Sequence, residues 1–158
     1  MQAGTEARWA EQLRRVNRWH TREKIALLDA LKDRFGPEVV AVVDQVIAER
    51  AARFGRMIAE REGGSSIADF LRLFWEPEQA TGLEYTVEEQ AGGVQITCTR
   101  CPMFDLAREI NGTEWMAHLV CATDPYIVAG FNPRIGLRRT KTLMAGDEYC
   151  DHFYFMRE

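Results

Sequence analysis

The spacing of apolar residues changes character once along the chain, near residue 82. Before that point it follows a helical period. Trp9, Leu13, Val16 and Trp19 or His20 recur on one face, and Ile25, Leu28, Leu31 and Phe35 continue the stripe. Thr5 is a fitting first cap, and Thr21 can cap a second helix. Gly36-Pro37 predicts a stop followed by a new start, because a proline at the first helical position gives up no needed N–H. The next helix carries Val39, Val40, Val43, Val46, Ile47, Phe54, Met57 and Ile58, and Gly63-Gly64 ends it. Ser65-Ser66 caps a short helix over 67–75, which Glu76-Pro77 is expected to break.

From Gly82 the period becomes two. Leu83, Tyr85 and Val87 alternate with Glu84, Thr86 and Glu88, and Val94, Ile96 and Cys98 alternate with Gln95, Thr97 and Thr99. A hairpin over 83–101 follows, turning at Gly92-Gly93 and ended by Pro102. Helical spacing returns over 103–111 and 113–122, with Asn111-Gly112 as the break. Asp124-Pro125 reads as a cap and first-turn proline for a helix over 125–130. Residues 134–144 and 149–156 are expected as a third and a fourth strand, joined by Ala145-Gly146-Asp147-Glu148. The order helices, hairpin, helix, hairpin is that of an α+β fold: N-terminal helices packed with a small antiparallel sheet of about four strands. The 158 residues suit one domain, with a helical part over 1–78 and an α+β part over 79–158.

Charge and composition narrow the function. The longest run without an acidic or basic residue is ten positions, Gln90 to Thr99, so no membrane-spanning helix is expected. The N-terminal residues lack the basic start and apolar stretch of a signal peptide. A cytoplasmic setting is therefore expected, in which cysteines are thiols or ligands rather than disulfides. The net charge of -4 argues against a nucleic-acid surface. Residues 1–78 hold thirteen basic and thirteen acidic side chains, and residues 79–158 hold seven and eleven. All four cysteines fall in the acidic second half, with His118 and His152. Any chemistry is expected there.

Three groups stand out. Cys98 and Cys101 form a Cys-x-x-Cys, but three is an odd separation, so on a strand the two sulfurs face opposite sides. Cys98 is thus assigned to the core, and Cys101, before Pro102, to a pocket edge. His118 and Cys121 are three apart on a helix and share a face, with Asp124 just beyond. Thr140, Thr142 and Met144 share one strand face, as do Cys150, His152 and Tyr154 of the last strand. These groups allow two kinds of site. Cys101, Cys121, Cys150 and His152 would suit zinc, although no cofactor is required by the pattern. Alternatively one thiol is a nucleophile, with His118 or His152 as base and Asp124 or Asp147 to orient it.

The ordered set Cys101-Pro102, Cys121-Ala122-Thr123-Asp124, Phe131-Asn132-Pro133, Arg139-Thr140-Lys141-Thr142-Leu143 and Gly146-Asp147-Glu148-Tyr149-Cys150-Asp151-His152 resembles the L-2-amino-thiazoline-4-carboxylic acid hydrolase family over about residues 95–156. The resemblance implies a hydrolase that opens a thiazoline ring to give N-carbamoyl-L-cysteine, with Cys101, Cys121, Asp124, Thr142, Asp147, Cys150 and His152 at its site. A substrate carboxylate needs a cation; strand parity places Arg138 beside Thr140 and Thr142, so Arg138 is preferred to Arg139, with His118 as a further substrate contact. The Gly-Asp-x-x-Cys before a terminal strand is also similar to small-molecule sensor domains of the vinyl-reductase four type, in which the cysteines would be structural or zinc-binding. The expected partners are a small molecule and, through the N-terminal helices, a second copy in a homodimer.

Overall fold

The computed structural model describes the backbone of residues 2–158 and the side chains of residues 8–158; the cap expected at Thr5 lies outside the described side chains. Helix α1 (Gln2–Phe35) is continuous. Thr21 starts no second helix: its hydroxyl donates to the Asn17 carbonyl one turn back, the bond a mid-helix threonine makes. After Gly36, at φ 86°, α2 (Glu38–Glu62) begins, and it ends at Gly63, at φ 69°. Ser66 then caps α3 (Ile67–Phe70) reciprocally with Asp69.

Pro77 does not break the next segment. Leu71–Trp75 form a π turn, in which the Glu76 N–H donates to the Leu71 carbonyl, and helix resumes in α4 (Glu76–Gln79). Pro77 sits in the first turn of that helix, where an N–H is not needed. The wider turn brings Phe70, Phe74 and Trp75 all toward the core.

Strands β1 (Glu84–Gln90) and β2 (Gly93–Arg100) form the expected hairpin, turning at Ala91-Gly92. Only its root is covered: Leu83 and Tyr85 pack on the core, and Val87 is 49% exposed. Helices α5 (Pro102–Glu109) and α6 (Thr113–Leu119) follow, separated by Asn111 in the left-handed region at φ 53°. The helix expected to reach residue 122 stops at Leu119. Val120, at φ -122° and ψ -67°, leaves the helical region, and a 3₁₀ turn over Cys121–Thr123 leads into α7 (Asp124–Phe131).

The strand expected over 134–144 is only β3 (Ile135–Arg138). Beyond it the backbone amides of Thr140 and Lys141 donate to the Asp151 carboxylate, and that of Thr142 to Asp147. Side chains thus take the hydrogen bonds that a ladder would have used. Thr140, Thr142 and Met144 therefore share no strand face. After a 3₁₀ turn over Leu143–Ala145, β4 (Cys150–Met156) closes an antiparallel sheet of order β1-β2-β4-β3. The architecture is α+β.

One face of the sheet is inward. Cys98 lies opposite Cys150, Ile96 opposite His152, and Val94 opposite Tyr154. Phe70, Trp75, Val128 and Phe131 cover this face. A second core joins α1 to the middle helices through Ile25, Ala107, Trp115, Met116 and Met144. Helices α2 and α7 cross at glycines: a Cβ on Gly55 would lie 2.1 Å from the Ile127 carbonyl oxygen, and one on Gly130 2.0 Å from that of Ala52. This backbone-to-backbone approach fixes where the N-terminus of α7 meets the sheet.

Candidate active site

The inward face of β4 carries Cys150, His152 and Tyr154 in alternation, each buried. Cys150 and His152 are brought to Asp124 and Arg139 by the end of α7 and the loop after β3. Asp124 is not the cap of α7. It is the first residue of the helix, and its carboxylate turns inward, accepting from Arg139 Nη1 and lying 3.3 Å from His152 Nε2. Arg139 Nη1 is 3.4 Å from the same His152 nitrogen, and its Nη2 donates to the Cys121 carbonyl at 2.9 Å. The guanidinium thereby ties α7, β4 and the 3₁₀ turn together. Asp124 prefers this partner to a capping role because an ion pair only partly open to water is worth more than one exposed hydrogen bond.

Arg138, the cation favoured by parity, lies elsewhere. It is exposed on the outer face, 4.7 Å over the Phe153 ring. Ile135 and Leu137 are the residues of β3 that face the core, with Leu137 opposite Tyr154 and Arg138 opposite Phe153; Arg139 keeps the parity of Leu137 and turns in.

His152 is 5% exposed. Its ring meets the Trp75 ring edge-on at 4.9 Å, and its Nδ1 has no hydrogen-bond partner among the described residues. Below it, Trp75 Nε1 donates to the Tyr154 hydroxyl at 3.0 Å. Burial pushes that phenol well above its usual pKa, so it stays neutral.

The four sulfurs differ sharply. The Cys150 thiol is pulled down to about 6, first by the hydrogen bond from the Cys98 thiol, then by the Leu143 amide, which donates to the sulfur at 3.2 Å, and by nearby His152 and Arg139; burial opposes these. Cys98, within reach of both Cys150 and the Arg100 carbonyl, is pushed up by the same bond and keeps its proton. Cys121 is pushed up to about 12 by burial and by Asp124, and burial also raises Cys101. Cys101, Cys121 and Cys150 are close enough to affect one another's titration. Of the four, Cys150 has the surroundings that favour a thiolate: the Leu143 amide on its sulfur, with His152 and Arg139 nearby.

Other residues chosen from sequence serve elsewhere. His118 Nδ1 lies 2.7 Å from Asp44 Oδ1, joining α6 to α2, because α6 ends before Cys121 and the two share no helical face. Thr142 accepts from the Ala145 amide and caps the 3₁₀ turn, and Asp147 accepts from the Thr142 amide at 2.7 Å. Both shape the loop that delivers the Leu143 N–H to Cys150. The zinc set does not assemble: among the described residues no three of His, Cys, Asp or Glu are placed to share a metal ion. The residues sequence reasoning passed over are Arg139, Trp75 and Cys98; only the cross-strand register, which pairs Cys98 with Cys150, brings the last into the site.

An inward sheet face with the Cys98 and Cys150 thiols paired across it, beside an Asp–Arg–His cluster and under a cover of helices, defines an α+β protein with a buried thiol cluster. The chain belongs to the L-2-amino-thiazoline-4-carboxylic acid hydrolase family, which matches over residues 16–154 and so takes in much of the helical half as well as the segment that carried the resemblance. No curated protein matches the sequence. In fold the chain is similar to the phenol-responsive sensory domain of the transcription activator PoxR, solved with phenol (TM-score 0.54, 17% identity, 87% of this chain and 74% of that one). It is also similar to a trafficking protein particle complex subunit 3 from Naegleria fowleri, solved covalently bound to palmitic acid (TM-score 0.54, 10% identity, 91% of this chain and 97% of that one). At these identities the likeness is one of fold. No described helix is long and apolar enough to cross a membrane.

Proposed function

We propose that the protein hydrolyses 2-amino-thiazoline-4-carboxylate to N-carbamoyl-L-cysteine, with Cys150 as nucleophile. Family membership over residues 16–154 carries the reaction, and the lowered Cys150 thiol supplies a group able to start it. The Cys150 sulfur adds to the ring carbon between nitrogen and sulfur. The bond from that carbon to the ring sulfur breaks, and the ring sulfur takes a proton, leaving an open isothiourea joined to Cys150. Water adds to the same carbon, Cys150 departs as thiolate, and the water oxygen becomes the urea carbonyl. One water is consumed in all. His152, next to Asp124, moves the protons, and Arg139 holds Asp124 and His152 in place. A reducing cytoplasm, in which the thiols remain free, suits this chemistry.

The test is incubation of the purified protein with the thiazoline acid, following the new free thiol and N-carbamoyl-L-cysteine. Wild type turns over, Cys150→Ala does not, and Asp124→Asn is slower by about 10²–10⁴-fold. Folded wild type without turnover would refute the hydrolase reading. The second reading, small-molecule binding without turnover as in the vinyl-reductase four type, is supported by the burial of the cluster and the likeness in fold to a phenol-responsive domain. Saturable binding of the thiazoline acid or of a phenol, with no product, would favour it. For the helical half we propose a homodimer: Trp9, Leu13 and Trp19 on α1 are 62%, 62% and 59% exposed, an apolar area a second copy would cover. Sedimentation at micromolar concentration distinguishes dimer from monomer.

A further inference from the structure

Cys98 and Cys150 face each other directly across the β2–β4 ladder, as its last pair, on the buried side of the sheet. Directly opposite residues of antiparallel strands have Cα atoms about 4.5–5.5 Å apart, within the roughly 4.4–6.8 Å that a disulfide spans. Their side chains share a face. Cys101 is less well placed: it lies beyond the end of β2, at the cap of α5. Cys121 is in a different element, the 3₁₀ turn before α7. All four thiols are free.

We propose that Cys98 and Cys150 are a site of oxidative modification, in which a hydroperoxide converts the pair to an intrachain disulfide. The Cys150 thiolate attacks the peroxide oxygen; the O–O bond breaks, releasing hydroxide from hydrogen peroxide, and the sulfur becomes a sulfenic acid. The Cys98 sulfur then attacks that sulfur, an S–S bond forms, and the sulfenic oxygen leaves as water, taking up the Cys98 proton. The sulfurs lose two electrons in all and the peroxide gains them. The lowered Cys150 thiol favours it as the attacking partner. Where the hydrolase reading holds, on which this consequence alone rests, the bridge removes the nucleophile and turnover stops until a thiol reductant restores it.

The experiment treats the full chain with hydrogen peroxide, unfolds it in acid, alkylates the remaining thiols and maps the peptides. The expected result is a fall from four alkylatable thiols to two, reversed by dithiothreitol, with a peptide joining Cys98 to Cys150. In Cys98→Ala the bridge is lost, and the Cys150 sulfenic acid is trapped by dimedone instead. A bridge that joins other cysteines or two chains, or four thiols still alkylatable after peroxide, overturns the proposal. Mapping on wild type stands even where Cys98→Ala fails to fold. A mapped Cys98–Cys150 bridge in a protein without turnover supports the proposal and counts against the hydrolase reading alone.

Discussion

Gly130→Ala tests the crossing that sets the site. In the interior of an ordinary helix this change is favourable by about 1 kcal/mol, because alanine loses less backbone freedom on folding. Here the new Cβ would lie 2.0 Å from the Ala52 carbonyl oxygen and 2.7 Å from its carbonyl carbon, with Gly55 in the same position on the facing helix. The obstacle is backbone, so no side chain can rotate away. Restoring an ordinary contact of about 3.2 Å or more requires the helices to part by over an ångström, and packed interiors resist such shifts. Because backbone must move, the cost falls in the upper part of the roughly 1–3 kcal/mol typical of overpacking, about 2–3 kcal/mol, so the variant should lose about 1–2 kcal/mol net. For a chain of this size that lowers Tm by roughly 2–8 °C. Gly36→Ala is the contrast: it has nothing within 4 Å but sits at φ 86°, so its cost is conformational, about 1–2 kcal/mol. Thermal unfolding followed by circular dichroism measures both. On the proposed hydrolase reading the two should differ in function as well: Gly130→Ala also displaces Asp124 and should cut turnover, and Gly36→Ala should leave it unchanged. A Gly130→Ala protein as stable as wild type, or more so, would refute the close approach and the account of how α7 is positioned.

Tyr154→Phe leaves the buried Trp75 N–H without its acceptor and should cost about 1–3 kcal/mol, read as a lower midpoint in urea. Alkylation of the native protein by iodoacetamide should select Cys150. Because the thiolate is the reactive form, the rate rises with pH through about 6 and then levels, while Cys121, pushed up to about 12, stays unmodified at neutral pH. Peptide mapping over a pH series checks both. Asp151→Ala releases the amides of Thr140 and Lys141 and frees the loop that aims Arg139; kcat should fall more than tenfold with a stability loss of about 1–2 kcal/mol, measured by turnover and by urea unfolding.

The alternation of period two was enough to place Cys150, His152 and Tyr154 on one face and to bury Cys98, because strand parity depends only on the chain itself. Register does not. The opposition of Cys98 to Cys150 belongs to two strands about fifty residues apart, and no local pattern states it. Arg138 and Arg139 show the same limit. Which of them turns inward depends on which face of β3 the core covers, and that is decided by partners distant in sequence: Ile135 and Leu137 pack inward, and Arg139 keeps their parity. Asp124-Pro125 satisfied the local rule for a cap, and a guanidinium from a distant loop overrode it. His118 and Cys121 lost their common face to one non-helical residue, Val120, in a sequence with no proline or glycine to announce the break.

The π turn at Leu71–Trp75 accommodates one residue more than an α-helical turn would. Removing a single residue from this segment would restore regular helix and leave the helix on either side in place. What would change is which side chains of this one turn meet Tyr154 and His152, where Trp75 now lies. Length at this one turn therefore chooses the side chains laid over the inward face of the sheet while the rest of the fold stays as it is.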